Sequence, residues 1–492
     1  MCIFCEGGPM LAGSVARRNF PRMAVGLGSG TGKQARGMPA GTGTDGRRYL
    51  IKGGYVMSLD KAVGDFVKGD VLVEGRRIDA VGASLDAGDA EIIDADGMIV
   101  MPGFIDTHHH QFETALRSYL ADGILVNDTT PQGAVNYYEH ILLKFSMVYR
   151  PEDVYINELF GSLAQLDAGV TTVMDVSQIH HSPEHSDAVV QALKDAGRRA
   201  VFGYFEGWGD RLKYPDDAHR LRSTHFASDD QLLTMIMGGE IYIPGYEKAW
   251  QIGRELGLPI ALHVVQTFGM RPTFDQLAES GMFGPDNIFI HMTGMSDMAW
   301  QRAADAGAHV SLSVPIEMQM RHGMPPIQKA LDMGMQPSLS SDVECTMTAD
   351  SFTQMRAAMT LQRSVVNERA LNGETGLPDL LTSRDVIRFA TIEGARGLKL
   401  DRKTGSLTPG KDADIILLDA NALNVAPLNN VPGAVATLME RSNVDTVIVA
   451  GKVRKWKGEL LDCDIPKLRR ELEQSRDHLF AAAGIERDLF RI

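Results

Sequence analysis

Three consecutive histidines, His108-His109-His110, close the apolar stretch Pro102-Gly103-Phe104-Ile105-Asp106-Thr107. Successive side chains of an extended strand alternate between faces, so His108 and His110 share one face and His109 turns away. Two imidazoles at a strand end can grip one metal ion and leave its other positions open. Residues of ligand type recur downstream, each after an apolar run: His263 after Pro259-Ile260-Ala261-Leu262, His291 after Asn287-Ile288-Phe289-Ile290, and Asp342 after Gln336-Pro337-Ser338-Leu339-Ser340. Singly, His291 also reads as a hydrogen-bonded core histidine and Asp342 as a helix cap. Jointly, a metal site accounts for them better. Three neutral imidazoles and one carboxylate suit Zn²⁺, with Fe²⁺ the alternative because imidazole discriminates weakly. Such an ion lowers the pKa of a bound water from about 15.7 to about 7. Asp342 can take that proton and pass it to a leaving group, while His291 polarises the electrophile from beside the metal.

Those residues need elements to carry them. Residues 48–102 read as short strands (Tyr49-Leu50-Ile51, Asp70-Val71-Leu72-Val73, Arg77 to Val81, Met98 to Met101) punctuated by Gly and Asp turns. From Phe104 the pattern changes to strands alternating with helices. Strands are expected at 104–106, 170–175, 200–205, 240–243, 259–263, 287–291, 309–313 and 336–340, and several intervening helices end on glycine (Gly197, Gly257, Gly307, Gly334). Eight such units predict a (β/α)8 TIM-like barrel over 103–400, whose active site gathers at the C-terminal strand ends. A doubly wound open sheet is the alternative. It fits less well, because the polar residues close several different strands. No lysine ends the third or fourth strand, where a carbamate bridge between two metals would sit, so one metal is favoured. Strand character returns at 405–418 and 444–452, which predicts that 401–460 completes the first unit. The barrel is then inserted into a small discontinuous β-sandwich, with a helical segment over 461–492. Residues 1–47, rich in Gly and Arg and without periodicity, are expected to be poorly ordered.

Composition narrows the function classes. A chain of 492 residues with 44% hydrophobic content can bury a large core, and a net charge of −14 argues against a nucleic-acid or anionic-membrane surface. No apolar run is long enough to span a bilayer. Four cysteines make no disulfide framework and fit a reducing compartment, and the Cys2/Cys5 pair stands alone. Arg17-Arg18 hints at a twin-arginine export signal, but the segment 24–28 is too short and glycine-rich to follow it. A cytoplasmic location is expected.

On these residues the chain resembles the amidohydrolase superfamily, in the branch of cytosine, guanine, 8-oxoguanine and adenosylhomocysteine deaminases and triazine hydrolases. The markers run from the 102–110 stretch through Ala168-Gly169-Val170-Thr171-Thr172-Val173, His263, His291, Gly323-Met324-Pro325-Pro326 and Ser341-Asp342. They continue with Ala390 to Arg396 and the Gly-Ser-Leu-x-Pro-Gly-Lys-x-Ala-Asp run at 405–414. The resemblance implies His108, His110, His263 and Asp342 as metal ligands, with His291 assisting beside them. It places Glu113 where many of these deaminases carry a substrate-binding glutamine, and Arg117 on an arginine common after it. It also implies a homo-oligomer and a small-molecule substrate.

Two positions depart from that pattern. The deaminases usually carry a proton-shuttling glutamate three residues after the fifth-strand histidine, and here that residue is Gln266, which can orient a substrate but cannot exchange a proton. Glu317 stands where relatives have an asparagine-bearing turn, to meet an N–H-rich substrate or to satisfy its loop. His180 and His181, after the second strand, are candidates for substrate contact or loop residues. The segment 118–150 reads as a lid or dimer surface, and Met318, Met320, Met324 and His322 as a pocket wall or as core filling. The expected activity is metal-dependent hydrolysis of a non-peptide carbon–nitrogen bond in a small cyclic or aryl nitrogen compound. The alternatives are a chlorohydrolase or lactone-type hydrolase using the same water, and a non-catalytic scaffold.

Overall fold

The computed structural model of the protein describes residues 37–490. Cys2, Cys5 and the Arg17-Arg18 pair lie outside them. Two sheets organise the chain. The first contains β1 (Arg48–Met57), β2 (Asp65–Glu74), β3 (Arg77–Gly82), β4 (Glu91–Asp94) and β5 (Met98–Pro102) from the N-terminal part. The second contains β6 (Phe104–His110), β7 (Val170–Ser177), β8 (Arg199–Tyr204), β9 (Leu233–Gly238), β10 (Ile260–Val264), β11 (Asn287–His291), β12 (His309–Leu312), β13 (Ser338–Leu339) and β14 (Asp342–Val343). β15 (Ile415–Asp419), β16 (Val444–Val449), β17 (Lys452–Trp456) and β18 (Glu459–Leu460) then return to the first sheet, β15 pairing antiparallel with β5.

In the first sheet both faces are apolar. Tyr49, Ile51, Val71, Val73, Ile415 and Ile448 share one buried cluster, while Leu50 and Leu72 pack into another. The Tyr49 hydroxyl donates to the Gly451 carbonyl at 2.8 Å, tying the first strand to the last hairpin. Residues 37–47, expected to lack order, instead dock here: Met38 packs on this cluster and the Thr42 hydroxyl accepts from the Val453 N–H at 3.1 Å. The apolar surface of a small sheet rewards a short covering segment, which composition alone does not reveal.

The second sheet is parallel throughout, in the order β13-β12-β11-β10-β9-β8-β7-β6-β14. β13 and β14 are separated only by Ser340 and Ser341, yet pair with opposite ends of the sheet: β13 with β12, β14 with β6. The sheet therefore curls in the manner of a TIM-like barrel. Strands such as β7 and β8 are buried along their whole length, the pattern of a parallel sheet covered on both faces. The fourth strand differs from expectation. It is Leu233–Gly238, with Leu233, Met235 and Met237 in the core, and Glu240–Ile243 is the turn beyond it. A β-rich tetrapeptide in a turn competes with a methionine-bearing strand on propensity alone, and pairing with β8 decides between them.

The two sheets are joined by charge as well as backbone. The buried Arg199 guanidinium on β8 reaches Asp412 at 2.7 Å and Asp414 at 2.9 Å, both just before β15. A helix at Ile465–Ala482 ends the described chain, its Phe480 against Phe145 and Tyr119. Among the described residues, no helix is long and apolar enough to cross a membrane.

Candidate metal centre

β6 delivers its two even-numbered histidines to the same point. His108 Nε2 lies 2.9 Å from His110 Nε2 and 3.0 Å from His263 Nε2, which arrives from β10. Asp342 Oδ1, at the start of β14, is 3.8 Å from His108 Nε2 and 3.6 Å from His110 Nε2. His291, ending β11, holds its Nε2 3.5 Å from Asp342 Oδ2. All five side chains are buried.

The outward nitrogens fix the tautomers. His110 Nδ1 is 2.8 Å from the Val176 carbonyl and His263 Nδ1 is 2.6 Å from Glu240 Oε1. Both partners accept, so each Nδ1 carries the proton and each Nε2 turns a lone pair inward. Nitrogen lone pairs facing one another at about 3 Å repel, and a cation among them converts that repulsion into ligation. The electrostatics agree. Burial and the neighbouring imidazoles hold His108 and His110 well below the usual histidine pKa, which keeps them neutral. At His263 burial acts downward too, but Glu240 outweighs it and the pKa is raised; a field that favours a proton there favours a metal ion equally. Burial pushes Asp342 up to about 7 against the pull of His263, with Asp106 adding to the rise, so this carboxylate also gains from a cation. The donor set fits one divalent ion.

Local backbone geometry reinforces the placement. His291 and Asp342 both sit in the left-handed region, at φ 68° and 63°, an unusual conformation for residues with a Cβ and one that gathers at functional sites. The turn before Asp342 is held by Asp106, which accepts from the Ser341 N–H at 3.1 Å and from Gln165 Nε2 at 2.7 Å. His109, the odd-numbered histidine, hydrogen-bonds the Asp342 carbonyl through Nδ1 at 2.9 Å.

The remaining expected residues divide. Glu113 is buried, accepts from the Tyr137 hydroxyl at 2.7 Å through Oε1, and stands within reach of the Cys345 thiol and N–H. Burial raises its pKa to about 8, and Asp342 adds to the rise. Tyr137 lies on the helix Tyr137–Phe145, so the 118–150 segment covers Glu113. Glu317 Oε1 accepts from the Ser313 N–H at 2.9 Å and meets His291 Nδ1 at 3.1 Å, which orients that ring. Gln266 and Glu317 line a cavity of about 690 Å³ together with Met318, His322 and Met324.

Arg117, His180 and His181 are engaged within the chain. Arg117 is spent on Glu344, with two hydrogen bonds of 2.8 Å. His180 is enclosed, its ring nitrogens 3.0 Å from Ser186 Oγ and 3.3 Å from the Gly203 carbonyl. His181 engages the Ser146 carbonyl at 2.7 Å and accepts from the Trp208 N–H at 3.0 Å. Each group has its hydrogen bonds made within the chain, a pairing across distant segments that sequence position does not disclose.

Glu240 was missed as a partner of His263 because the sequence reading placed it inside a strand. Its signal was available: an acidic residue just past the apolar run Met235-Ile236-Met237 and the pair Gly238-Gly239. Glu206, two residues beyond β8, was also missed. Its Oε1 accepts from Gln178 at 2.9 Å and Tyr242 at 2.5 Å, and burial with Glu240 nearby raises its pKa to about 7.

Comparison with known proteins agrees with this fold. The model of the amidohydrolase family matches residues 99–230 and 257–454. A 5'-deoxyadenosine deaminase of Methanosarcina mazei is 27% identical over 450 residues, covering 88% of this chain and 98% of the relative. A 5-methylthioadenosine/S-adenosylhomocysteine deaminase of Carboxydothermus hydrogenoformans is 27% identical over 445 residues, covering 86% and 96%. Among solved structures, a zinc-bound adenosine deaminase from Xanthomonas campestris superposes with a TM-score of 0.76 at 23% identity, covering 89% of this chain and all of that one. A zinc-bound atrazine chlorohydrolase from Arthrobacter aurescens gives 0.74 at 20% identity, covering 87% and 100%. At such identities the solved structures speak to the fold. The family model spans both halves of the curled parallel sheet and the strands that carry the histidines and Asp342, and the chain belongs to the amidohydrolase family, hydrolases of carbon–nitrogen bonds other than peptide bonds.

Proposed function

We propose that the protein is a mononuclear zinc hydrolase that removes ammonia or an amine from an sp² carbon of a small nitrogen-containing ring. The observation that carries this reading is the convergence of the His108, His110 and His263 Nε2 atoms with Asp342 Oδ1 at the strand ends, with the opposite nitrogens of His110 and His263 already committed. The ion, when bound there, supplies a water acidified to a pKa of about 7.

The protein's own groups do the rest. Asp342 Oδ2 has no hydrogen-bond partner and faces the site, so it takes the proton released by the attacking water. Burial raises the Glu317 pKa, so its carboxyl keeps a proton for His291 Nδ1; the neutral ring then carries its own proton on Nε2, facing Asp342, where it steadies charge developing on the substrate. Gln266 positions the ring without exchanging protons. Glu113, protonated below about pH 8, stands as a proton source near Asp342. Relatives named as deaminases of adenosine-type nucleosides support amine release.

One observation favours a second reading. Gln266 in place of a shuttling glutamate suits a leaving group that departs unprotonated, such as chloride. The deciding experiment is a panel of amino-, amido- and chloro-substituted heterocycles on zinc-loaded protein, read as ammonia, amine or chloride released. Turnover of none of them by protein holding stoichiometric zinc would overturn both readings.

A further inference from the structure

His322 is 3% exposed, and neither of its ring nitrogens has a hydrogen-bond partner. The residue is not adrift. Its carbonyl accepts from the Thr293 hydroxyl at 2.7 Å, the preceding carbonyl of Arg321 accepts from the Thr267 hydroxyl, and its ring stands edge-on to His291 with centroids 4.7 Å apart. An imidazole fixed this firmly, buried and unpaired, is costly unless something else completes it. It lines the cavity of about 690 Å³ beside Glu317, whose Oε2 is likewise buried without a partner.

Gln266 lines the same cavity, and its placement depends on two glycines. A Cβ on Gly294 would come within 2.3 Å of Gln266 Oε1, and one on Gly323, next to His322, within 3.2 Å. The chain has thus kept room for an amide where it also keeps an imidazole and a carboxylate. Met318 and Met324, 45% and 67% exposed, form pliable apolar sides of the opening.

Resting on the proposed hydrolytic reading, we propose that His322, with Glu317 and Gln266, is the specificity-determining edge for a planar nitrogen heterocycle carrying a ring acceptor nitrogen next to an N–H group. A neutral imidazole offers one donor and one acceptor, the Glu317 oxygen accepts, and the Gln266 amide does both. Burial brings the His322 pKa down to about 3, so the ring is neutral under ordinary conditions. The alternating acceptor and N–H of an amino-substituted heterocycle complete this set, whereas a hydrocarbon ring or a halide-bearing arene leaves it unpaired. The methionines contact the flat faces.

The test uses full-length zinc-loaded protein as wild type, His322→Phe and His322→Asn. The probes are adenosine, cytosine and melamine, followed by ammonia release and by calorimetric binding, which reads recognition apart from turnover. For the ring that wild type processes, His322→Phe should raise KM and Kd by about tenfold or more with kcat nearly unchanged, and His322→Asn should recover most of the loss. The analogue of that ring with carbon in place of the acceptor nitrogen should bind wild type and His322→Phe alike. Equal KM and Kd in wild type and His322→Phe, or a fall in kcat alone, would overturn the proposal and leave the hydrolytic reading standing. Ammonia release from none of the three rings by wild type would overturn both.

Discussion

Glu240 Oε1 lies 2.6 Å from His263 Nδ1, and both Glu240 oxygens accept from the His263 backbone N–H at 3.2 Å. One carboxylate thus fixes the position, tautomer and basicity of an imidazole of the candidate metal centre. Groups that orient a ligand in this way are typically worth about 10- to 100-fold in metal affinity. Glu240→Gln should therefore weaken zinc binding by roughly that factor, measured by chelator competition, and the melting temperature of the zinc-loaded protein should fall with it.

Asp342 should behave differently. Asparagine keeps an oxygen toward the metal but cannot take a proton. Asp342→Asn is expected to retain measurable zinc and to lose roughly 10²- to 10⁴-fold in kcat on any substrate the wild type turns over. Metal analysis and initial rates on the same preparation check both halves.

The candidate ligands His108, His110 and His263 were legible because they close apolar runs, and Asp342 because it follows a short strand; in a parallel sheet such ends share a rim. Glu240 was illegible because strand and turn compete over Leu233–Ile243, and only the pairing Phe202↔Met235 shows where the strand stops. The two β segments at 48–102 and 401–460 could be read as strands, but not the Tyr49–Gly451 hydrogen bond that unites them across the chain. The partners of Arg117, His180 and His181 were not legible for one reason. Their polar atoms are satisfied by residues from other segments, and a linear text does not show which polar group is already paired.

His180 gives a pH-dependent prediction. Unfolded, it titrates near 6.5, and folded, burial draws it down to about 3. Between those values the unfolded chain binds a proton that the folded chain does not, so stability is fully present above about 6.5 and declines as pH falls toward 3. His180→Gln removes this titration. Its melting temperature should fall less steeply than that of wild type between pH 7 and pH 5, and KM should be unchanged, because both ring nitrogens are already paired within the chain.

The Arg199 guanidinium is 1% exposed and bridges the two sheets through Asp412 and Asp414. Asp414 also accepts from the Ala450 N–H at 2.7 Å. Asp414→Ala leaves a buried cation half-paired, a defect that costs about 3–5 kcal/mol. Denaturant unfolding should show a loss of that order. Arg199→Met combined with Asp414→Leu should lose less than Asp414→Ala, since the pair is then removed rather than broken.

Gln266 tests how the proton reaches the leaving group. Glutamate has nearly the same shape, and Gly294, which leaves room for the present side chain, leaves room for the substituted one. If amine departure is limited by proton delivery, Gln266→Glu should raise kcat on an amino-substituted ring by roughly tenfold or more, with a new alkaline limb in the pH–rate profile where the added carboxyl loses its proton. A chloro-substituted ring, whose leaving group needs no proton, should gain little. Equal losses on both substrates would mean that Gln266 serves as an amide N–H donor to the ring. The proton would then have to come from Asp342 or from Glu113, which remains protonated to about pH 8.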